Sequence, residues 1–307
     1  MSDNLTTTTQ VDPAVGLFYD RVLLRRGKPK LIHRLFAQKK SLPKKGGTTI
    51  KFRRYAQLAT ATTPLAEGVT PNGKRLSKTD LTAQASQYGD FVHITDVVDL
   101  TVEDAVLTVA AEELGDQMGR TLDQLTRDVL AACASVTTMS TGGTVLNQTD
   151  LDAIVQTLMG NNADTMTALV KPGTGVGTAA IGQAYWALAD TDLWDDLKLC
   201  SDWVDMRDYP SQQTVMPAEV GATGKIRWQL TSEGYVSSSY YSNPVLAKNA
   251  FGVVDIEGGN AKNIVKSFGS GGTSDPLNQR ATSGWKCWDV TRILNDNFMH
   301  IARCTNG

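Results

Sequence analysis

Sixteen of the thirty Lys and Arg residues fall between positions 21 and 78, where Glu67 is the only acid. The rest of the chain carries fourteen bases against thirty-one acids. A protein of net charge −2 therefore joins a segment of about +15 to a body of about −17. A self-contained enzyme gains little from this division, because its two halves would pair with each other. A protein that lays an arm on the next copy of itself gains much more, since opposite fields steer association and penalise wrong docking.

The basic segment reads as an arm rather than a domain. Val15 to Phe36 is partly amphipathic and is broken by Gly27 and Pro29, which predicts two short helices or a helix and an extended stretch. Pro43-Lys-Lys-Gly-Gly47 is a turn signal. Thr48 to Tyr55 then alternates with strand period, placing Ile50 and Phe52 opposite Lys51, Arg53 and Tyr55. No period survives over 57 to 80, and a second strand-forming run spans Leu81 to Thr95. The simplest arrangement is a long hairpin with an irregular tip. It lacks the apolar area to stand alone and needs a partner surface.

The strongest local signal follows. Thr101-x-x-Asp104 is a variant of the capping box. After it Leu107, Ala111, Leu114, Met118, Leu122, Leu125, Val129 and Ala132 recur at steps of three and four. This predicts one long helix over 101 to 135, about 50 Å in length. Gly115 and Gly119 weaken it and point to close packing there. A second helix is expected from Thr149 or Asp150 to Gly160. Residues 163 to 250 read as mixed α/β, with a helix-like stretch from Ile181 to Ala189 and strands around Ala218 to Gly221 and Lys225 to Leu230. Phe251 to Ile256, Ile264 to Phe268 and Trp285 to Cys304 supply late strands that return onto the long helix. The fold class is α+β.

Catalytic chemistry is hard to find. His33, His93 and His300 lack ligand spacing and read as solvated or packing residues. Gly173-Thr-Gly-Val-Gly177 is similar to a phosphate loop only superficially, lacking both the Lys-Ser/Thr of a P-loop and the dinucleotide spacing. Asp190, Asp192, Asp195 and Asp196 lack the order of a calcium loop and read as a solvated helix face. The four cysteines are widely spaced without a C-x-x-C, which argues against zinc and fits reduced thiols, with a Cys287–Cys304 bridge as the remaining alternative. The polar first ten residues carry no secretory signal, and no apolar run reaches the ~18 to 20 residues of a membrane span. No enzyme, cofactor or metal is expected. For the basic segment, docking on an acidic subunit is favoured over nucleic acid, because the only aromatics for base stacking in the strand are Phe52 and Tyr55; DNA proximity stays open for residues 21 to 40, and a solvated basic face is the plain alternative.

Several strings carry a family resemblance: Ile50-Lys-Phe-Arg-Arg-Tyr55, Thr63-Pro-Leu-Ala-Glu-Gly-Val-Thr-Pro71, and Gln87-Tyr-Gly-Asp-Phe-Val92 running into Ile94-Thr-Asp96. Leu122-Asp-x-Leu-Thr-Arg-Asp-Val129, Asp275-Pro-Leu-Asn-Gln-Arg280, Gly284-Trp-Lys286 and Ile293-Leu-Asn295 complete the set. Spread over about residues 15 to 303, they and the order of elements resemble the major capsid protein of tailed bacteriophages, with the Hong Kong 97-type fold. More narrowly, they resemble the podovirus family typified by phage N-four. One departure is Ala218-Glu-Val-Gly221 where the family pattern has Gly-Glu-Ile-Gly, which puts the local turn in doubt.

The resemblance implies an N-terminal arm (1–42), an extended hairpin loop (43–95), a peripheral domain (96–174) with its spine helix, an axial domain (175–260) and a return to the peripheral domain (261–307). It implies a homo-oligomer of pentamers and hexamers in an icosahedral shell around double-stranded DNA, assembled in the host bacterial cytoplasm. Scaffolding protein, portal and decoration proteins would be partners, and no membrane is involved. An encapsulin-like nanocompartment and a nucleic-acid-binding protein are the alternatives. The expected inter-subunit contacts in the loop are Lys44, Lys45, Lys51, Arg53, Arg54, Glu67, Lys74, Arg75 and Lys78. In the N-terminal arm they are Arg25, Arg26, Lys28 and Lys30. Glu67, as the one acid of the arm, is expected to meet a base on an adjacent capsomer or to order the tip.

Overall fold

The structure, a computed structural model, describes residues 5–6, 31–43, 45–65, 67–101, 106–167, 182–209, 215–256, 262–266, 268–271 and 275–307. Two sheets and one long helix organise it. The strands in chain order are β1 (Leu5–Thr6), β2 (Gln38–Leu42), β3 (Thr49–Tyr55), β4 (Lys78–Gln84), β5 (Ser86–Thr95), β6 (Val136–Thr138), β7 (Tyr185–Asp190) and β8 (Trp203–Asp205). They continue as β9 (Glu219–Thr223), β10 (Ile226–Thr231), β11 (Tyr235–Ser237), β12 (Tyr240–Leu246), β13 (Phe251–Ile256), β14 (Lys262–Lys266), β15 (Arg280–Ile293) and β16 (Met299–Cys304). The helices are α1 (Asp96–Thr101), α2 (Val106–Ala131), α3 (Gln148–Gly160) and α4 (Trp194–Leu199).

The six-stranded sheet has the order β1-β5-β15-β13-β2, with β14 also on β15. The eight-stranded sheet runs β6-β16-β12-β7-β10-β9-β8, with β11 on β12, and β3 and β4 form a separate ribbon. The 14-residue β15 is the common member of the first sheet: antiparallel to β5 from Arg280↔Thr95 to Asp289↔Ser86, to β14 on its other edge, and to β13 at its end.

The expected single helix over 101 to 135 is corrected. Helix is already present from Asp96, with Thr101 of the proposed cap as the last residue of α1; α2 ends at Ala131, and residues 102 to 105 lie outside the described residues. The buried stripe also drifts. Ala111, Leu114, Met118 and Leu122 are buried as expected, but the second half turns Thr126 and Leu130 inward rather than Leu125, Val129 and Ala132. The cause is that α2 crosses from one sheet to the other. Its first half packs Leu114, Met118 and Leu122 on Trp285 and Cys287 of β15. Its last turn places Leu130 with Trp186, Leu188, Phe251 and Met299. Gly115 and Gly119 are both buried, in keeping with close packing.

The helix-like reading of Ile181 to Ala189 is corrected too: residues 185–190 are strand β7, buried at every position, and Ile181 lies outside the described residues. Tyr185, Ala187 and Ala189 face the core under α3, while Trp186 and Leu188 face the core under α2. A strand covered on both faces has no alternation to read, so its pattern is that of a continuous apolar run. The helix expected near Asp150 is α3, capped by Asn147, whose side chain accepts from the Asp150 N–H at 2.8 Å. The predicted hairpin partner Leu81 to Thr95 is in fact two strands divided at Ala85: β4 pairs with β3, whereas β5 belongs to the large sheet. Residues 31–37 form turns rather than helix before β2, and the Gly-rich stretch 173–177 lies outside the described residues.

Candidate functional site

The arm is a ribbon with a packed root and an uncovered tip. β3 and β4 pair from Thr49↔Gln84 to Tyr55↔Lys78. Strand alternation turns Phe52 inward at the root, where it is buried with Leu42, Ala83 and Val254. An added Cβ on Gly252 would come within 2.8 Å of the Phe52 ring, so only glycine leaves room for it. Lys40 Nζ covers the ring at 4.6 Å from its centroid. The expectation that the hairpin lacks internal support is therefore corrected at its root. Beyond the root it holds: from Arg53 to Asp80 every residue whose burial is described is exposed, Tyr55, Leu58, Leu65, Val69 and Leu76 among them.

The expected contact residues divide by what they already touch. Arg53 Nε donates to Asp80 Oδ1 across the ribbon at 2.9 Å and holds that carboxyl below its ordinary range. Arg54 Nη1 donates to Asn295 Oδ1 at 2.6 Å, tying the ribbon to the end of β15. Lys74 Nζ donates to the carbonyls of Ala59 and Thr60 at 2.7 and 3.3 Å and so crosses the tip loop. Lys45, in a left-handed turn conformation (φ 66°), and Lys51, Glu67, Arg75 and Lys78 are exposed. Lys44, Arg25, Arg26, Lys28 and Lys30 lie outside the described residues. Two of the arginines expected to reach a neighbour thus have partners inside the subunit.

A second feature escaped the sequence reading. Leu31 to Ala37 is fastened to the body by two buried ionic contacts. His33 donates its backbone N–H to Asp123 Oδ1 at 2.8 Å and places Nδ1 2.6 Å from Asp123 Oδ2; both residues are buried, and Asp123 stands on α2. Arg34 pairs with Asp289 of β15, and Asp255 lies 3.9 Å from the same guanidinium nitrogen. Burial pushes the Asp289 carboxyl up to about 6, against the pull of Arg34. The available signal was Asp123 itself, a carboxylate beside Leu122 on the apolar side of α2, where an unpaired charge is not tolerated.

The carboxylates 190 to 196 do not converge. Asp190 caps the turn at Asp192 N–H, Asp192 accepts from Tyr241, Asp195 pairs with Lys198, and Asp196 accepts from the Gly307 N–H. Among the described residues no group of His, Cys, Asp and Glu has the arrangement of a metal site. All four cysteines are free and buried, so the alternative of a Cys287–Cys304 bridge is not adopted. Burial pushes Cys287 and Cys304 up to about 12. His93 stands on β5, and His300, on β16, shares a 2.7 Å hydrogen bond with Thr137. No helix among the described residues is long and apolar enough to cross a membrane. Ala218 takes φ 62°, the left-handed region that favours glycine, where the family pattern has Gly.

The fold has relatives throughout phage shells. It superimposes on the capsid of Ralstonia phage GP4 with a TM-score of 0.63 at 13% identity, covering 89% of this chain and 87% of that one. The capsid structure of cyanophage P-SCSP1u gives 0.62 at 12% identity over 100% and 92%. The asymmetric unit of the cyanophage Pam1 capsid gives 0.59 at 14% over 100% of both chains. No curated protein sequence matches significantly. A family model described as "Phage capsid protein" matches residues 78–303. With that match over most of its length, and the Hong Kong 97-type architecture around it, the chain belongs to the phage capsid protein family.

Proposed function

We propose that this chain forms the pentamers and hexamers of an icosahedral shell, held together by arms that reach from each subunit onto its neighbour. The observation that carries the reading is the arm itself. Residues 53–80 are exposed at every position whose burial is described, yet they carry five large apolar side chains. Apolar surface of that kind on a thin ribbon is a contact surface waiting for its partner. Its basic charge suits the acidic body of another copy.

On this reading residues 1–42 are the N-terminal arm, 43–95 the extended loop, 96–174 with 261–307 the peripheral domain, and 175–260 the axial domain. Lys45, Lys51, Arg75 and Lys78 supply inter-subunit charge, together with Lys44 and the Arg25, Arg26, Lys28, Lys30 group. Individual exposed pairs contribute only about 0 to 1 kcal/mol, but repetition over many copies makes them cooperative. The shell encloses double-stranded DNA without reading its sequence. It assembles in the host cytoplasm with a scaffolding protein, a portal and decoration proteins, and its sequence strings place it with the podovirus family typified by phage N-four.

Electron microscopy of the purified chain tests this. Shells or free pentamers and hexamers are expected. The Lys51→Glu/Lys78→Glu variant, which spares the internally paired Arg53 and Arg54, should remain folded and form no shells; normal shells from it would overturn the arm's role. A chain that stays monomeric at high concentration, even with scaffold co-expressed, would overturn the whole reading.

A further inference from the structure

Among the described residues, the part of the six-stranded sheet formed by β5, β15 and β14 is covered on one face only. Strand alternation sends Tyr88, Val92, Trp285 and Cys287 toward α2. The opposite face presents three rows across β5, β15 and β14: Gly89, Lys286 and Lys262; Phe91, Gly284 and Ile264; His93, Thr282 and Lys266. All of these residues except Lys262 line a groove of about 620 Å³ bordered by Ser270, Asp275 and Arg280. Phe91 and Ile264 are 57% and 42% exposed there. A sheet face left to solvent is ordinarily polar, so large apolar side chains along its centre point to an absent layer.

The charge of the groove is equally unusual. Lys262 and Lys286 stand directly opposite each other across β14 and β15, and both are exposed. Like charges at such positions repel unless something anionic lies between them. Lys266 and Arg280 add to them, so four of the five bases on these two strands, out of fourteen in the body, gather between positions 262 and 286. The acids nearby are engaged within the subunit. Asp275 accepts from the backbone N–H groups of Gln279 and Arg280, and Asp90 accepts from Gln117 at 2.6 Å. An acidic body therefore contains one cationic, apolar-floored groove.

The arm has the complementary exception. In a segment of sixteen bases, the one acid is Glu67, set between Leu65 and Val69 in the tip, and all three are exposed. Among the described residues Glu67 has no ion-pair partner, and no residue of the tip loop lines the groove of its own subunit. Residues 56–77 extend beyond the ribbon and can reach up to about 35 Å from it.

We infer that the groove receives the arm tip of a second copy, with Leu65 and Val69 against Phe91 and Ile264, and Glu67 among Lys262, Lys266 and Lys286. The inference rests on the shell reading above and names the receiving surface. A DNA backbone would satisfy the lysines but would leave Phe91 and Ile264 bare; a tip with a carboxylate between two apolar side chains satisfies both.

The test uses shells of the full chain carrying Leu65→Cys and Ile264→Cys, treated with a short bis-maleimide. Both positions are exposed, and the native thiols are buried, so the introduced pair is the reactive one. Covalent multimers on denaturing gels, absent from either single variant, are the expected result. Shells that form normally and yield only monomer under the same treatment would overturn the inference while leaving the shell reading intact. Failure of the unmodified chain to form shells at all would overturn both. As a second measure, Glu67→Lys should cut shell yield by about tenfold or more, and adding Lys286→Glu should restore it. Lack of restoration would also count against the groove.

Discussion

Replacing Asp123 by Ala tests how the N-terminal segment is held. The carboxylate is fully buried on α2 and receives both the backbone N–H and Nδ1 of a buried His33, at 2.8 and 2.6 Å. Truncation strands both His33 groups in space that water does not reach. Removing one partner of a buried ionic contact costs about 3–5 kcal/mol, and two hydrogen bonds to a charged group at about 1.5–3 kcal/mol each give the same range. Unfolding entropy of about 2.1 cal/mol/K per residue means that 1 kcal/mol moves the Tm of a 307-residue chain by about 1.5 °C. The expected drop is therefore about 5–8 °C, read by scanning calorimetry on unassembled subunits at neutral pH. Asp123→Asn keeps an oxygen for the His33 N–H and should lose about half as much. Proteolysis within 31–37 should accelerate in the same order. A fall of less than about 2 °C in the Ala variant would refute the argument that this contact clamps the segment.

Ala218→Gly should raise stability by up to about 1 kcal/mol in urea unfolding. The left-handed φ of 62° costs an alanine about 1–2 kcal/mol, and the glycine gives back part of that through its freer unfolded chain. A loss of stability would mean that the Ala218 methyl contributes more than its strained backbone costs. At Asp150, burial alone would raise the carboxyl, but donation from Asn147, from the Ser140 N–H and from both Thr141 groups holds it well below the carboxylate range. A folded-state pKa below the unfolded one gives stability that is present above about pH 4 and lost as pH falls further. Asp150→Asn should flatten that acid limb in unfolding titrations between about pH 5 and 2, and an unchanged slope would assign the limb to other groups.

What could be read from the chain depended on how many surfaces each element meets. α3 and β3 each bury one face, so their periods pointed to the right element. β7 is enclosed by two cores and looked like a helix, because Tyr185 to Asp190 has no polar side to show. α2 changes partners along its length, so a stripe extrapolated from Leu114 and Leu122 missed Thr126 and Leu130. The site was legible as charge, since the arm's sixteen bases are visible without coordinates. The long-range pairings were not: His33 with Asp123 and Arg34 with Asp289 join residues 90 and 255 positions apart. Nor did any local pattern show Lys262 opposite Lys286, which depends on a strand register set by the whole sheet.

The junction at Ala85 decides how a pull on the arm would be borne. The chain leaves β4 and enters β5 at once, and β5 is laced to β15 through ten consecutive residue pairs. Ladder hydrogen bonds in an antiparallel pair lie perpendicular to the strands. Tension along the strand therefore loads them in shear, all together, instead of peeling them open one at a time. β15 passes part of that load on to β13 and β14, and through Trp285 to α2. A tug on the exposed tip becomes a distributed strain across the large sheet and the helix packed on it, as rope tension is spread by a long splice.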